Sequence, residues 1–240
     1  MHIAVLGAGW AGLAAGLLAA RQGHRVTLFE AARSLGGRAR ALAANLPDGR
    51  AVTLDNGQHL LIGAYTQTLA LMRSLSIDPH SVLLRTPLTL RFPDGRGLRF
   101  PDWPAPWDAV GAIAGARGWT LADKYTLLRT AVLWRRRGFE CPASASVDDI
   151  CSRLTTRVRQ ELIDPLCVSA LNTPPGQASA QVFLRVLRDA MFGVSGASRL
   201  LLPRVDLSAL VPQAAATAIV RAGGQVLLGR RVERLVPNGV

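Results

Sequence analysis

The chain opens on a short apolar run, His2 to Leu6, rich in β-branched residues, and Gly7, Gly9 and Gly12 follow it at the spacing G-x-G-x-x-G. That pattern predicts a buried parallel strand turning directly into a helix. The helical pattern runs from about Trp10 to Arg21 and stops at Gly23, between polar Gln22 and His24. A second apolar strand, Arg25 to Phe29, completes a βαβ unit. Ile3 to Ala20 carries no charge, but it is neither a signal peptide nor a membrane span. It lacks a basic start, is interrupted by Gly7, Gly9 and Gly12, and leads into a helix stop and another strand instead of a cleavage site.

Further on, a short strand at Val52 to Leu54 leads through Asp55-Asn56-Gly57-Gln58-His59 into a helix with Tyr65, Leu69, Met72 and Leu75 at helical spacing. Leu83 to Phe92 and Gly97 to Phe100 read as a hairpin around Asp94-Gly95. The prolines of Pro101 to Trp107 forbid regular structure, and helices are predicted at 108–116, 121–135, 146–154, 158–166 and 177–192. In the second of these, Leu121, Tyr125, Leu128 and Val132 share one face, expected to be core or pocket wall. Pro212 to Ala222 is a helix opened by proline and closed by Gly223-Gly224. Gln225 to Leu228 and Arg231 to Val236 are strand-like and expected to rejoin the first sheet. The predicted fold is α/β, a Rossmann-like domain with an inserted, mainly helical domain carrying a β-hairpin. Its parts are 1–80, 81–205 and a return segment, 206–240.

Composition narrows the function classes. With 240 residues, 49% of them hydrophobic, the chain can bury a substantial core. The net charge of +12 comes from 27 Arg and one Lys. These are scattered, Arg135 to Arg137 being the longest cluster, and aromatics make up only 5%, which argues against nucleic-acid binding. Attraction to an anionic membrane surface fits the charge better. Cys141, Cys151 and Cys167 are odd in number and form no C-x-x-C, so reduced thiols and a cytoplasmic location are expected. His2, His24, His59 and His80 lie far apart, giving no metal cluster. Gly193-Val-Ser195-Gly-Ala197 falls short of G-x-S-x-G, with no strand before it, and reads as a loop.

The candidate chemistry lies in the opening segment. Gly7 allows the tight turn, Gly9 allows backbone to approach a pyrophosphate, and Gly12 allows close helix–strand packing. The helix N-terminus supplies unpaired N–H groups and positive dipole. Glu30, at the end of the second strand, suits ribose hydroxyls. The run Glu30 to Arg38 ends Gly36-Gly37-Arg38, so it resembles the E-x-x-x-x-x-G-G-R signature of the flavin amine oxidase and carotenoid desaturase superfamily. That resemblance implies FAD as cofactor, with the glycine pair passing close to the nucleotide and Arg38 beside the pyrophosphate. It further implies that Gly57, Gln58 and His59 approach the flavin ring and that Val232 presents its backbone to the adenine. On their chemistry alone, Asp55 and Asn56 suit a turn and a cap for the next helix, and His59 suits a buried, satisfied histidine equally well.

Three segments carry a narrower resemblance: L-D-N-G-Q-H-L-L-I-G-A-Y at 54–65, F-P-D-W-P-A-P-W at 100–107 and D-P-L-C-V-S-A-L-N-T-P at 164–174. They are similar to the hydroxysqualene dehydroxylases of bacterial hopanoid biosynthesis. The resemblance implies reduction of hydroxysqualene to squalene by hydride from reduced flavin, and hence an apolar isoprenoid substrate. The acid is not identified; His59, Asp164 and Tyr65 are candidates because they lie in those segments. Alternatives are a desaturase or amine oxidase running hydride toward FAD, and a non-catalytic flavin-binding module. Members of the family run well beyond 240 residues. A fragment, a second polypeptide completing the site, or an inactive chain is therefore expected.

Overall fold

The computed structural model describes residues 1–57 and 59–236. In chain order the first elements are β1 (His2–Leu6), α1 (Trp10–Arg21), β2 (Arg25–Phe29), β3 (Ala41–Asn45), β4 (Ala51–Asp55), β5 (Leu61–Ile62), α2 (Thr66–Ser74), α3 (Pro79–Val82) and β6 (Leu83–Thr86). Next come β7 (Thr89–Arg91), β8 (Gly97–Arg99), α4 (Trp107–Ala114), α5 (Leu121–Arg136), α6 (Val147–Ile150) and α7 (Thr156–Val158). A π turn at Arg159–Ile163 runs into α8 (Asp164–Leu171), followed by α9 (Ala180–Met191), β9 (Leu200–Pro203), α10 (Leu207–Leu210), α11 (Pro212–Arg221) and β10 (Gln225–Leu227).

These elements form two compact units. The first comprises Met1–Leu61, Thr66–Leu84 and the chain from Leu201 on; the second comprises Ile62–Tyr65 and Arg85–Leu200. In the first unit β1, β2 and β10 make a parallel sheet in that order, with His2 opposite Arg25 and Gln225 opposite Thr27. Parallel neighbours need crossover connections, and α1 and α11 supply them. Leu13 and Leu17 of α1, Val26 and Leu28 of β2 and Ile219 of α11 are buried together. Each such side chain stabilises the fold by roughly 1.5–3 kcal/mol. Gly16 permits the approach of α1 and α11, since a Cβ there would lie 3.2 Å from Ile219 Cδ1.

One expectation needs correction in this unit. Arg231 to Val236 forms no strand, because its backbone makes no ladder with the sheet; β10 ends at Leu227 and the residues beyond are exposed. Ala41 to Asn45, where the sequence pattern predicts no element, is a strand, pairing antiparallel with β4. Its Ala-Leu-Ala-Ala-Asn sequence has weak strand propensity, so pairing with β4 decides its conformation.

The second unit contains the β7–β8 hairpin, whose turn holds Gly95 at φ 81°, and the helices α4 to α9. Asp123 organises part of its core. It completes a capping box with Thr120 and accepts from Thr155 Oγ1 at 2.6 Å, with the Arg157 guanidinium 3.8 Å away. Burial by itself would raise this carboxyl, but the hydrogen bonds from Thr155 and Thr120, with Arg157, outweigh it and hold it below 3.8. Asp108 is also buried, accepting from Ser198 Oγ at 2.8 Å. The α5 face expectation is reversed: Asp123, Leu127, Thr130 and Trp134 are buried, while Leu121, Tyr125 and Val132 face solvent. The inward face includes two polar residues, Thr130 and Asp123, the latter satisfied by Thr120 and Thr155, and their presence hides it from a hydrophobic pattern.

Aliphatic and aromatic side chains alone line a cavity of about 80 Å³ in this unit, among them Phe100, Ile113, Leu127, Trp134, Leu162 and Phe192. No helix among the described residues is long and apolar enough to cross a membrane.

Candidate functional site

The opening turn is built from glycine backbone and leaves open space ahead of the first helix. Gly7 sits at φ 99°, in the left-handed region, and its N–H donates to Phe29 O at 2.8 Å. The chain then reverses into α1, whose N-cap is Gly9, with no side chain capping it. The first N–H groups of α1 therefore lack an intrahelical acceptor and point at the space ahead of the helix. That space is open, since a Cβ on Gly9 would meet nothing within 4 Å. Behind it packing is tight: a Cβ on Gly12 would lie 2.0 Å from Gly7 O.

A second glycine turn closes on the first. Gly36 is buried at φ 100°, bridges Gly9 in parallel fashion, and donates its N–H to Ala8 O at 2.8 Å. A Cβ on Gly37 would lie 3.2 Å from Gly9 Cα. Gly7, Gly9, Gly12, Gly36 and Gly37 are thus gathered into one cradle. Glu30 sits beside it, accepting from Ala8 N at 2.6 Å and Ala32 N at 2.8 Å. Each carboxylate oxygen keeps a second lone pair for a hydroxyl donor.

Arg38 is exposed, and its carbonyl accepts from Asn56 Nδ2 at 3.0 Å. The next arginine was not anticipated from sequence. Arg40 Nε is buried and has no hydrogen-bond partner among the described residues. A Cβ on Gly36 would come 3.1 Å from Arg40 Cβ, so this side chain springs from the edge of the cradle. An unsatisfied buried donor is costly, and an anionic group there would satisfy it. The signal was present in Gly-Gly-Arg-Ala-Arg, where the second arginine follows the signature by two positions.

The remaining candidates are more dispersed. Gly57 takes φ 89°, and its Cβ position lies 3.9 Å from His59 Nε2. His59 is exposed, with that nitrogen 3.2 Å from Asn56 O, so it is not a buried, satisfied histidine. Gln58 lies outside the described residues. Asp55 caps a different helix from the one expected, accepting from Leu207 N at the start of α10 at 2.9 Å. Val232 is exposed and belongs to no strand.

In the second unit, Tyr65 is exposed and its N–H donates to Ile62 O. Asp164 opens α8 directly after the π turn, and its Oδ1 is buried without a hydrogen-bond partner among the described residues. Burial raises its carboxyl above 3.8; Asp148 adds to the rise and Arg159 opposes it. Cys151 is pushed up to about 12, mainly by burial, and stays a thiol.

A parallel βαβ unit, an open glycine-capped helix N-terminus, a second glycine turn against it and an acidic strand end together fit a dinucleotide. The orphaned Arg40 donor adds a charge complementary to its pyrophosphate. The class they define is an α/β FAD-binding fold. Residues 10–240 match the family described as flavin containing amine oxidoreductase, and the chain belongs to that family, with FAD as its cofactor.

The chain is 25% identical to a hydroxysqualene dehydroxylase of Sinorhizobium fredii over 99% of its length and 55% of the relative's. It is 27% identical to a protein of the same name from Rhodopseudomonas palustris, over 98% and 54%. A 15-cis-phytoene desaturase of Synechococcus elongatus is 33% identical, over 47% of the chain and 24% of the relative. A crystal structure of an oxidoreductase from Methanosarcina mazei superposes with a TM-score of 0.70 at 18% identity, covering 99% of this chain and 53% of that one. The chain spans about half the length of the curated relatives it matches from end to end.

Proposed function

We propose that the chain carries the nucleotide-binding part and a substrate-binding part of an FAD-dependent oxidoreductase that reduces hydroxysqualene to squalene. The observation that carries this reading is one of coverage: relatives named hydroxysqualene dehydroxylase align over 99% and 98% of the chain, the desaturase over 47%. The wholly apolar cavity, at about 80 Å³, suits a short stretch of hydrocarbon, since no polar lining group would be stranded by one.

In this reading the N–H groups at Gly9 and the start of α1 hold the pyrophosphate. Glu30 receives the ribose, Gly36, Gly37, Arg38 and Arg40 complete the anion site, and Val232 offers backbone to the adenine. Gly57 and His59 lie at the flavin ring. The second unit is the substrate domain. Bound and reduced, FAD supplies a hydride.

The alcohol leaves as water only after its oxygen gains a proton, so the reaction consumes one proton and one hydride and forms one C–H bond. Asp164 is the residue assigned to proton donation. Its raised carboxyl holds a proton at higher pH than an ordinary aspartate, and Ile163 and Leu166 beside it line the apolar cavity. Tyr65 and His59 are both exposed, which gives them no comparable protection from water.

Anaerobic incubation of the flavin-loaded chain with hydroxysqualene and a reductant tests the reading. Squalene is the expected product. Recovery of unchanged alcohol, or of a product with an added double bond, refutes it. Asp164→Asn is expected to lower the rate about a hundredfold or more, the usual scale for a lost general acid.

A further inference from the structure

The outer side of α4 and α5 has a character that the flavin site does not explain. At 3.6 residues per turn, Leu121, Tyr125 and Val132 fall within an arc of about 40° on α5, opposite its buried face. Leu121 is 85% exposed, Tyr125 65% and Val132 50%. Cations flank this apolar stripe on both sides, Lys124 and Arg135 along one edge, Arg129 and Arg136 along the other. The one acid of α5, Asp123, is buried in its capping box.

Helix α4 extends the patch. Trp107 and Val110 are exposed on it, and Trp103, also exposed, lies against Gly111, where a Cβ would come 2.4 Å from the indole. Lys124 Nζ donates to Ala114 O at 2.7 Å and joins the two helices. Here too the helix's one acid, Asp108, is buried. Of the exposed acids nearby, Asp102 is ion-paired with Arg199, and Glu140 lies beyond the end of α5.

We propose that this face of α4 and α5 docks on an anionic phospholipid bilayer, with the helices lying in the plane of the interface. Charge complementarity selects the partner: four cations border an apolar stripe from which every acidic side chain of the two helices is withdrawn. Trp103, Trp107 and Tyr125 supply rings suited to the headgroup boundary, and Arg129 and Arg136 reach past the stripe to phosphates. The inner sides of the same helices, through Ile113, Leu127 and Trp134, line the apolar cavity. A lipid-soluble molecule leaving the bilayer would therefore meet the helix pair that walls that cavity. The docking claim itself rests on the surface and stands apart from the choice of substrate.

The test is co-sedimentation of the full chain with vesicles of phosphatidylcholine alone and of phosphatidylcholine mixed equally with phosphatidylglycerol. Binding is expected only to the anionic vesicles, weakening as salt rises. Neutralising a basic residue near such a surface costs about fivefold in binding, so Arg129→Gln with Arg136→Gln should cost about twenty-five-fold. Leu121→Ser with Tyr125→Ser should also release the chain while leaving its circular dichroism and thermal unfolding unchanged, because both side chains are exposed. Arg50→Gln with Arg153→Gln removes the same charge from exposed positions elsewhere and should leave binding intact. Absence of binding, equal binding to both vesicles, or equal loss in the control pair overturns the proposal. So does a dimer that the Leu121 and Tyr125 substitutions dissociate without changing vesicle binding. None of these outcomes depends on flavin or hydroxysqualene.

Discussion

Replacing Gly12 with alanine places a methyl group 2.0 Å from Gly7 O, 3.1 Å from Gly7 C and 3.6 Å from Val5 Cγ1. The obstacle is backbone, so no rotamer change relieves it, and on the order of 1 Å of separation must be opened between α1 and the end of β1. Overpacking of this kind costs about 1–3 kcal/mol, and an obstacle in the main chain belongs at the upper end. Alanine recovers part of the roughly 1 kcal/mol by which glycine weakens a helix. The net expectation is a loss of about 2 kcal/mol. In a protein of this size that lowers the midpoint of thermal unfolding by about 4–8 °C. The same displacement carries the N–H groups of α1 away from the Gly36-Gly37 turn, so flavin retention should fall with stability. Thermal and urea unfolding of wild type and Gly12→Ala, each followed by flavin absorbance after gel filtration, measure both effects. A Gly12→Ala protein as stable as wild type would refute the close helix–strand packing from which the cradle is derived.

Other substitutions separate binding from folding. Gly9→Ala meets open space at an ordinary φ of −69°, so stability should change by less than about 1 kcal/mol while FAD affinity drops at least about tenfold, measured by unfolding and flavin titration. Asp164 has a raised folded pKa, so its contribution to stability is present at low pH and lost as pH rises through that value. Asp164→Asn cannot ionise, and denaturant midpoints should favour it increasingly as pH climbs above 3.8. Asp123 behaves in the opposite sense: its depressed carboxyl stabilises the fold above 3.8 and loses that contribution as pH falls below it, so Asp123→Asn should weaken the protein at neutral pH and flatten its acid unfolding limb. Cys151, pushed up to about 12, should react with a thiol reagent at pH 8 only as fast as the chain unfolds, as time-resolved labelling and mass spectrometry would show.

The parts legible in the sequence are those fixed by short-range chemistry. Two apolar strands around a glycine-punctuated helix leave little choice but a parallel βαβ unit, and Asp94-Gly95 sets a hairpin by turn geometry alone. What escaped depends on partners distant in sequence. The outward face of α5 carries Leu121, Tyr125 and Val132, whereas its inward face includes Thr130 and Asp123, the carboxylate made compatible with burial by hydrogen bonds such as that from Thr155. Periodicity counts apolar residues and is blind to a satisfied carboxylate. Asp55 reads as a cap, but its recipient, Leu207, lies far along the chain. Strand character at Arg231 to Val236 required a neighbour that the described backbone does not provide. Arg40 became visible as a site residue only once its Nε was found buried and unpaired.

Titration of the purified chain with FAD, followed by quenching of flavin fluorescence and repeated with ADP as competitor, tests the nucleotide site most directly. The account predicts saturation at one FAD per chain and displacement by ADP, because the cradle of Gly7, Gly9, Gly36 and Gly37 is built for the pyrophosphate that both ligands share. Absence of saturable binding, or FAD binding that ADP leaves untouched, would contradict it.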